Sequence, residues 1–246
     1  MKRLLAALAL LAVAAGAMAD EAKIRRVVEA KLGGVRVEGV QPAPLPGFFE
    51  VRFTSREGPQ IVYTDAEATH IFVGELIDAR TNRNVTEERL RKLSAISFDS
   101  LPLDLAVKVQ RGNGKRVLAV FSDPYCPACR QFEQTLAQVE DITIYYFMYP
   151  VIRPELADHS RLVWCSADRG KAWLELAARA KPRVPAAADA SCQGPVERVL
   201  DLGRTLHVTS TPTLFFTNGE RLRGGVPVAQ LRGMLDDTSG AAPAKK

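Results

Sequence analysis

The chain has 246 residues, 47% of them apolar, and a formal net charge of +5. That is enough for one large domain or two small ones, each with a core of its own. The positive balance comes without a basic run of the kind that tracks nucleic acid, which excludes nucleic acid as a partner; Lys181 to Arg183 and the Lys245-Lys246 end read as solvated surface.

In chain order, Lys2 and Arg3 precede an apolar run from Leu4 to Ala15, and Ala17-Met18-Ala19 puts small residues at a cleavage site before Asp20. This is the layout of a secretory signal peptide over residues 1–19, and the run is short for a bilayer span. Export places the remaining chain in an oxidising compartment. There its four cysteines, Cys126, Cys129, Cys165 and Cys192, fit two disulfides, one of which need not be structural.

Residues 21–32 read as a short helix, with Ile24, Val27, Val28 and Leu32 at helical spacing and Gly33 as its stop. From Val35 the pattern turns to strands. Phe49, Val51 and Phe53 alternate with Glu50 and Arg52, and short runs at Ile61–Tyr63 and Ile71–Val73 are separated by Gly58-Pro59, Asp65 and Gly74. Residues 20–83 therefore predict a small α+β unit. A unit this small buries little surface by itself, so it is expected to pair with a second copy as a dimerisation domain. Asn84 or Thr86 caps a second helix, Glu87 and Glu88 lie in its first turn, and Pro102 ends or kinks it. Residues 84–107 thus predict a helical linker.

From Lys108 the pattern is strand, helix, strand. Val117 to Phe121 is a continuous apolar run, as in a strand buried on both faces. A helix is predicted from about Cys126 to Val139, a second buried strand from Ile142 to Met148, and mostly helix over 154–206. Thr213 to Phe216 and Arg221-Leu222 flank Asn218-Gly219, a hairpin signal, and a helix over Val226 to Leu235 closes a domain spanning 108–237. Residues 238–246 are small and polar and predict a disordered tail.

The chemistry sits in Cys126-Pro127-Ala128-Cys129. A C-x-x-C pair at the start of a helix puts its first sulfur among unpaired backbone N–H groups at the positive end of the helix dipole. That favours the thiolate, the reactive form. Pro127 suits the first helical position, where its missing N–H costs nothing. Cys126 is then the attacking nucleophile, and Cys129, one turn further in, the resolving thiol. The same spacing also serves zinc, but zinc wants four ligands. Cys165 and Cys192 form no second close pair, and His70, His159 and His207 are remote in sequence, so no metal and no cofactor are expected. Cys165 and Cys192 enclose a helical stretch, and a bridge between them is expected in an exported chain, two free buried thiols being the alternative. Pro212, opening a strand-like run, reads on base rates as an ordinary trans proline.

In the order of these features the sequence resembles the periplasmic disulfide-bond isomerases, DsbC and its relative DsbG. The resemblance is carried by Val120 to Phe132 around the dithiol, by Val208-Thr209-Ser210-Thr211-Pro212-Thr213 with Asn218-Gly219, and by Gln41-Pro42-Ala43-Pro44 with Pro46-Gly47. It runs from about residue 20 to 236. It implies an α/β thioredoxin-like catalytic domain with inserted helices, preceded by a small cystatin-like dimerisation domain and a helical linker, in a V-shaped periplasmic homodimer. It implies that Pro212 is cis beside the dithiol, that Thr211 offers backbone hydrogen bonds to a substrate peptide, and that a membrane electron donor of the DsbD type keeps the dithiol reduced. The expected substrates are misfolded disulfide-containing exported proteins. The sequence departs from DsbC in having Pro-Ala between the cysteines and Arg130 after them, and it has Val120 where thioredoxins place a buried acid. A dithiol oxidase, a specialised reductase, and a holdase chaperone with secondary redox activity are the alternatives to isomerisation.

Overall fold

The computed structural model describes residues 21–177, 183–189 and 191–239. The expected signal peptide and all of the expected tail beyond Ser239 lie outside the described residues. The chain divides into two compact units that meet in sequence at Leu93 and Ser94.

In the first unit, helix α1 (residues 21–31) is followed by strands β1 (Val37–Pro42), β2 (Phe48–Ser55), β3 (Gly58–Asp65) and β4 (Ile71–Phe72). They pair in sequence order as an antiparallel meander. Ile24 and Val28 of α1, one turn apart, are fully buried against Val37, Val51, Phe53 and Val62, so one apolar stripe of a short helix seals one face of the sheet. Gly33 and Gly34 both take positive φ, and Gly34 N–H closes the helix end on Glu29 O at 2.9 Å. Glu50, a polar position of the β2 alternation, is nevertheless buried. Arg89 reaches it at 3.2 Å and Gln41 Nε2 donates to it at 3.1 Å. The short pair β5 (Ile77–Asp78) and β6 (Arg83–Asn84) leads into α2 (Val85–Leu93). Asn84 is the cap, its Oδ1 accepting Glu87 N–H at 3.0 Å. Thr86 instead hydrogen-bonds Tyr63 Oη at 2.6 Å and accepts Leu76 N–H at 2.8 Å.

The expected helical linker is shorter than its 24-residue window suggested: α2 ends at Leu93, well before Pro102. After it the chain belongs to the second unit, in two single turns of 3-10 helix at Phe98–Ser100 and Leu103–Leu105. Packing overrides the local pattern here. Phe98, Leu101 and Leu105 are buried, and Ile96 N–H donates to Gly219 O at 3.0 Å.

The second unit holds strands β7 (Val107–Arg111), β8 (Arg116–Ser122), β9 (Ile142–Met148), β10 (Thr213–Phe216) and β11 (Arg221–Arg223) in the order β11-β10-β8-β9-β7. Only β8 and β9 are parallel among these pairs, joined by α3 (Pro127–Leu136). Helices α4 (Ala157–Trp164), α5 (Arg169–Ala177) and α6 (Val196–Thr205) form the insertion before β10, and α7 (Val228–Ser239) closes the unit. Thr238 and Ser239, expected in the tail, are its last residues. The continuous apolar run of β8 has its cause in two cores. Leu118 and Val120 join Phe132, Leu136, Trp173 and Leu231 on one face; Ala119 and Phe121 join Phe147, Phe215, Val199 and the 3-10 turns on the other. Phe121 and Phe147 stack at 4.7 Å between centroids. Gly219, at φ +88°, makes the β10–β11 turn, and a Cβ there would lie 2.3 Å from Ile96 O.

Candidate active site

The site lies where β8 hands over to α3. Cys126 is the N-cap residue of α3, in extended conformation, and Pro127 is the first helical residue. Cys126 and Cys129 are both free thiols. Across from them the Thr211–Pro212 peptide is cis, and the Cys126 thiol donates to Thr211 O at 3.3 Å. Residues 85 apart in sequence thus meet at one sulfur.

An attacking sulfur must be reachable, yet in the structure Cys126 is only 5% exposed, against 2% for Cys129. The Thr211 segment covers it. The turn between the sulfurs, Pro127 and Ala128, is exposed, so the dithiol sits just beneath the surface. The two sulfurs differ in chemistry more than in area. Burial pushes the Cys129 thiol up to about 12; the Ser122 hydroxyl and the Asp123 backbone N–H pull it the other way, and negative charge on Cys126 raises it further. The Thr211 hydroxyl also faces Cys129, buried and without a well-formed hydrogen bond. Cys129 is therefore held as a thiol.

A buried carboxylate organises the turn. Asp123 is fully buried, and its Oδ1 accepts Tyr125 N–H at 2.7 Å while Oδ2 accepts Val151 and Ile152 N–H, each at 2.7 Å. Its backbone carbonyl takes Cys126 N–H at 3.2 Å. Asp123 thereby ties the dithiol turn to the segment after β9. The proline segment is braced as well. Tyr149 Oη donates to Val208 O at 3.3 Å, across Gly203, where a Cβ would lie 2.2 Å from the tyrosine ring. Buried Arg221 donates to Leu206 O at 2.6 Å at the C-terminus of α6, a favourable place for a cation.

Cys165 and Cys192 are joined, 27 residues apart, with Cα atoms at 5.8 Å. Cys165 is the C-cap residue of α4, so the bridge fastens the inserted helices to the segment before α6.

Two family models match the chain: a disulfide bond isomerase protein N-terminal domain over residues 15–87 and a thioredoxin-like domain over residues 103–239. The probable thiol:disulfide interchange protein DsbC of Bordetella avium is 42% identical over 215 residues, 86% of this chain and 73% of the relative. The chain belongs to the DsbC family. The DsbG of Pseudomonas aeruginosa is also related, at 27% identity over 213 residues, covering 79% of each chain. The crystal structure of a disulfide interchange protein from Neisseria gonorrhoeae superposes with a TM-score of 0.53 at 36% identity, over 57% of this chain and all of that one. With a thioredoxin-like domain and these relatives, the protein is a thiol–disulfide oxidoreductase.

In this DsbC-family chain the structure brings residues to the dithiol turn that the sequence does not single out for it. Asp123 left a faint signal, an acid between a buried strand and a proline. His159 left none: it lies 33 residues beyond Cys126, yet its ring nitrogen is hydrogen-bonded to Tyr125 Oη, next to the nucleophile. Arg130, whose direction the sequence leaves open, donates from Nε to Pro124 O at 3.1 Å and stands over the Tyr125 ring. Val120 is apolar and buried, but an acid does lie beneath α3. Glu133, one turn beyond Cys129, is 5% exposed and accepts a hydrogen bond from Tyr146 Oη at 2.9 Å.

Burial pushes the Glu133 carboxyl up to about 7, with the Tyr146 hydrogen bond and Arg111 opposing. The folded state therefore binds a proton that the unfolded chain has released above its ordinary value near 4.5. The contribution of Glu133 to stability should be greatest below about pH 4.5, decline as pH rises to about 7, and level off above, with a total loss of about 3 kcal/mol. Glu133→Gln should flatten that decline and raise the denaturant midpoint at pH 8 while leaving it near wild type at pH 5. Paired urea titrations at the two pH values check this.

Proposed function

We propose that the protein isomerises incorrect disulfides in exported proteins, in the periplasm and as a homodimer. The observation that carries this reading is the inequality of the two sulfurs. Cys126 as thiolate attacks one sulfur of a wrong client disulfide; the client disulfide breaks, a Cys126 mixed disulfide forms, and the other client sulfur leaves as thiolate. Release then needs a second thiolate. Burial disfavours the Cys129 thiolate, whereas a solvated client thiol near its ordinary value of about 8.5 supplies thiolate more readily. Release by a client thiol re-pairs the client and returns Cys126 as thiolate, which is isomerisation with no net redox change. Release by Cys129 oxidises the dithiol and reduces the client, and a membrane donor of the DsbD type would then restore it.

Loss of the Cys126 proton also frees Thr211 O from its contact with the thiol. That carbonyl, presented by cis Pro212, is then available to a client backbone N–H beside the attacked disulfide. In this reading Thr211 and Pro212 bind substrate, and the Cys165–Cys192 bridge is structural.

The homodimer is supported by apolar surface on the first unit. Leu45, Phe72, Val73 and Ile77 are exposed, with Phe72 at 52% and Val73 at 78%. Leu45, Phe48, Tyr63, Phe72 and Val73 line a groove of about 320 Å³. Exposed apolar surface of this kind marks an interaction site. The same groove favours holdase activity as a second reading, testable by aggregation suppression that survives loss of both Cys126 and Cys129.

Reactivation of scrambled ribonuclease decides the main reading. The wild-type protein is expected to restore activity catalytically and Cys126→Ser not at all, while the mass in solution corresponds to two chains. A strongly oxidising monomer, or full activity in Cys126→Ser, would overturn it.

A further inference from the structure

Tyr125 stands immediately before Cys126, and groups from three places in the fold fix it. Its backbone N–H is held by Asp123 Oδ1 at 2.7 Å. Its ring lies beneath the Arg130 guanidinium, 5.7 Å from the centroid, and the same guanidinium group grips Pro124 O at 3.1 Å. Its phenol is hydrogen-bonded to His159 Nδ1, with the two ring centroids 5.8 Å apart.

Burial raises the Tyr125 phenol above its ordinary value, with Arg130 and Arg153 opposing, so the phenol keeps its proton. The charged groups around the pair are Arg130 on α3, Asp123 and Arg153 in the flanking loops, and Asp158 on α4, itself bonded to Arg161 Nε at 2.6 Å.

His159 is on α4, and that helix is fastened. Its C-cap residue is Cys165, bonded to Cys192, and Arg161 Nη1 donates to Cys192 O at 2.9 Å. A side chain on a tied helix thus meets the residue that precedes the nucleophile.

We propose that His159 is a positioning residue for the dithiol: α4, anchored by the Cys165–Cys192 bridge, presents it to the Tyr125 phenol, and through Tyr125 it holds the segment that carries Cys126. This rests on Cys126 being the attacking sulfur and adds a role for a residue that touches neither cysteine. It also gives the bridge a second duty, since the helix it anchors sets the geometry of the reacting turn.

The test uses the full chain and a disulfide-bearing client peptide. kcat, KM and thermal midpoint are measured for wild type, His159→Phe, His159→Asn, Tyr125→Phe and the His159→Phe/Tyr125→Phe double variant, with Cys126→Ser as reference. His159→Phe and Tyr125→Phe should each lower kcat by about fivefold to tenfold with little change in KM, and the double variant should be no slower than either. His159→Asn, whose amide oxygen occupies nearly the place of Nδ1, should recover most of the rate. Losses that multiply in the double variant, an Asn variant as slow as Phe, or a shift in thermal midpoint with no change in kcat would each overturn the proposal. If His159→Phe matches wild type while Cys126→Ser is inactive, the positioning role fails and the thiol chemistry stands.

Discussion

Cys129→Ala should accumulate a covalent adduct with a disulfide-bearing client, and Cys126→Ser should form none. In the alanine variant Cys126 still attacks, but the intramolecular exit from the mixed disulfide is gone, so clients without a spare thiol remain attached. In the serine variant a hydroxyl replaces the sulfur at the N-cap of α3, and an oxygen there can neither attack a disulfide nor be linked to one. Exchange should fall by roughly a thousandfold or more in Cys126→Ser, whereas Cys129→Ala should retain isomerisation of clients that carry free thiols. The burial that holds Cys129 up to about 12 is the reason for expecting this asymmetry. Non-reducing gels and intact mass after acid quenching would read it directly. Adduct formation in Cys126→Ser, or its absence in Cys129→Ala, would reverse the assignment of attacker and resolver.

The second large effect belongs to the bridge. Cys165→Ser/Cys192→Ser opens a closed loop with a sequence separation of 27. Loop-closure entropy for a ring of that size is worth roughly 3–4 kcal/mol in the unfolded chain, on the chain-entropy account. In a domain of this size that corresponds to a fall in thermal midpoint of roughly 10 °C. The folded state loses as well, because Cys165 is buried at the end of α4 and Arg161 braces the Cys192 carbonyl. Scanning calorimetry of the double serine variant against wild type under non-reducing conditions checks the size. A midpoint within a degree or two of wild type would mean that packing alone holds the inserted helices.

Much of the fold was legible because burial writes itself into local pattern. β8 and β9 read as continuous apolar runs because helices cover one face of their sheet and a second core covers the other. The helix after Cys126 was legible from Pro127 and from Phe132 and Leu136, and the β10–β11 hairpin from Asn218-Gly219. The linker was misjudged for the opposite reason. Residues 94–107 follow no strong local period, and their shape is imposed by contacts such as Ile96 with Gly219, which propensity does not foresee. Strand alternation makes Glu50 an ordinary polar position, and its burial is explained by Gln41 on the neighbouring strand and by Arg89, 39 residues away.

The site divides along the same line. The dithiol, and the expectation that Cys126 attacks and Cys129 resolves, are legible in the amino-acid sequence alone, because C-x-x-C with proline at the first helical position is a local device at one helix end. The isomer of Thr211–Pro212 was different, since base rates favour trans and only resemblance pointed to cis. Asp123 as a clasp, Glu133 as a buried acid and His159 beside Tyr125 were decided by the tertiary structure. Each depends on groups that the chain brings together from distant positions, and electrostatics, desolvation and hydrogen bonding act through space rather than along sequence.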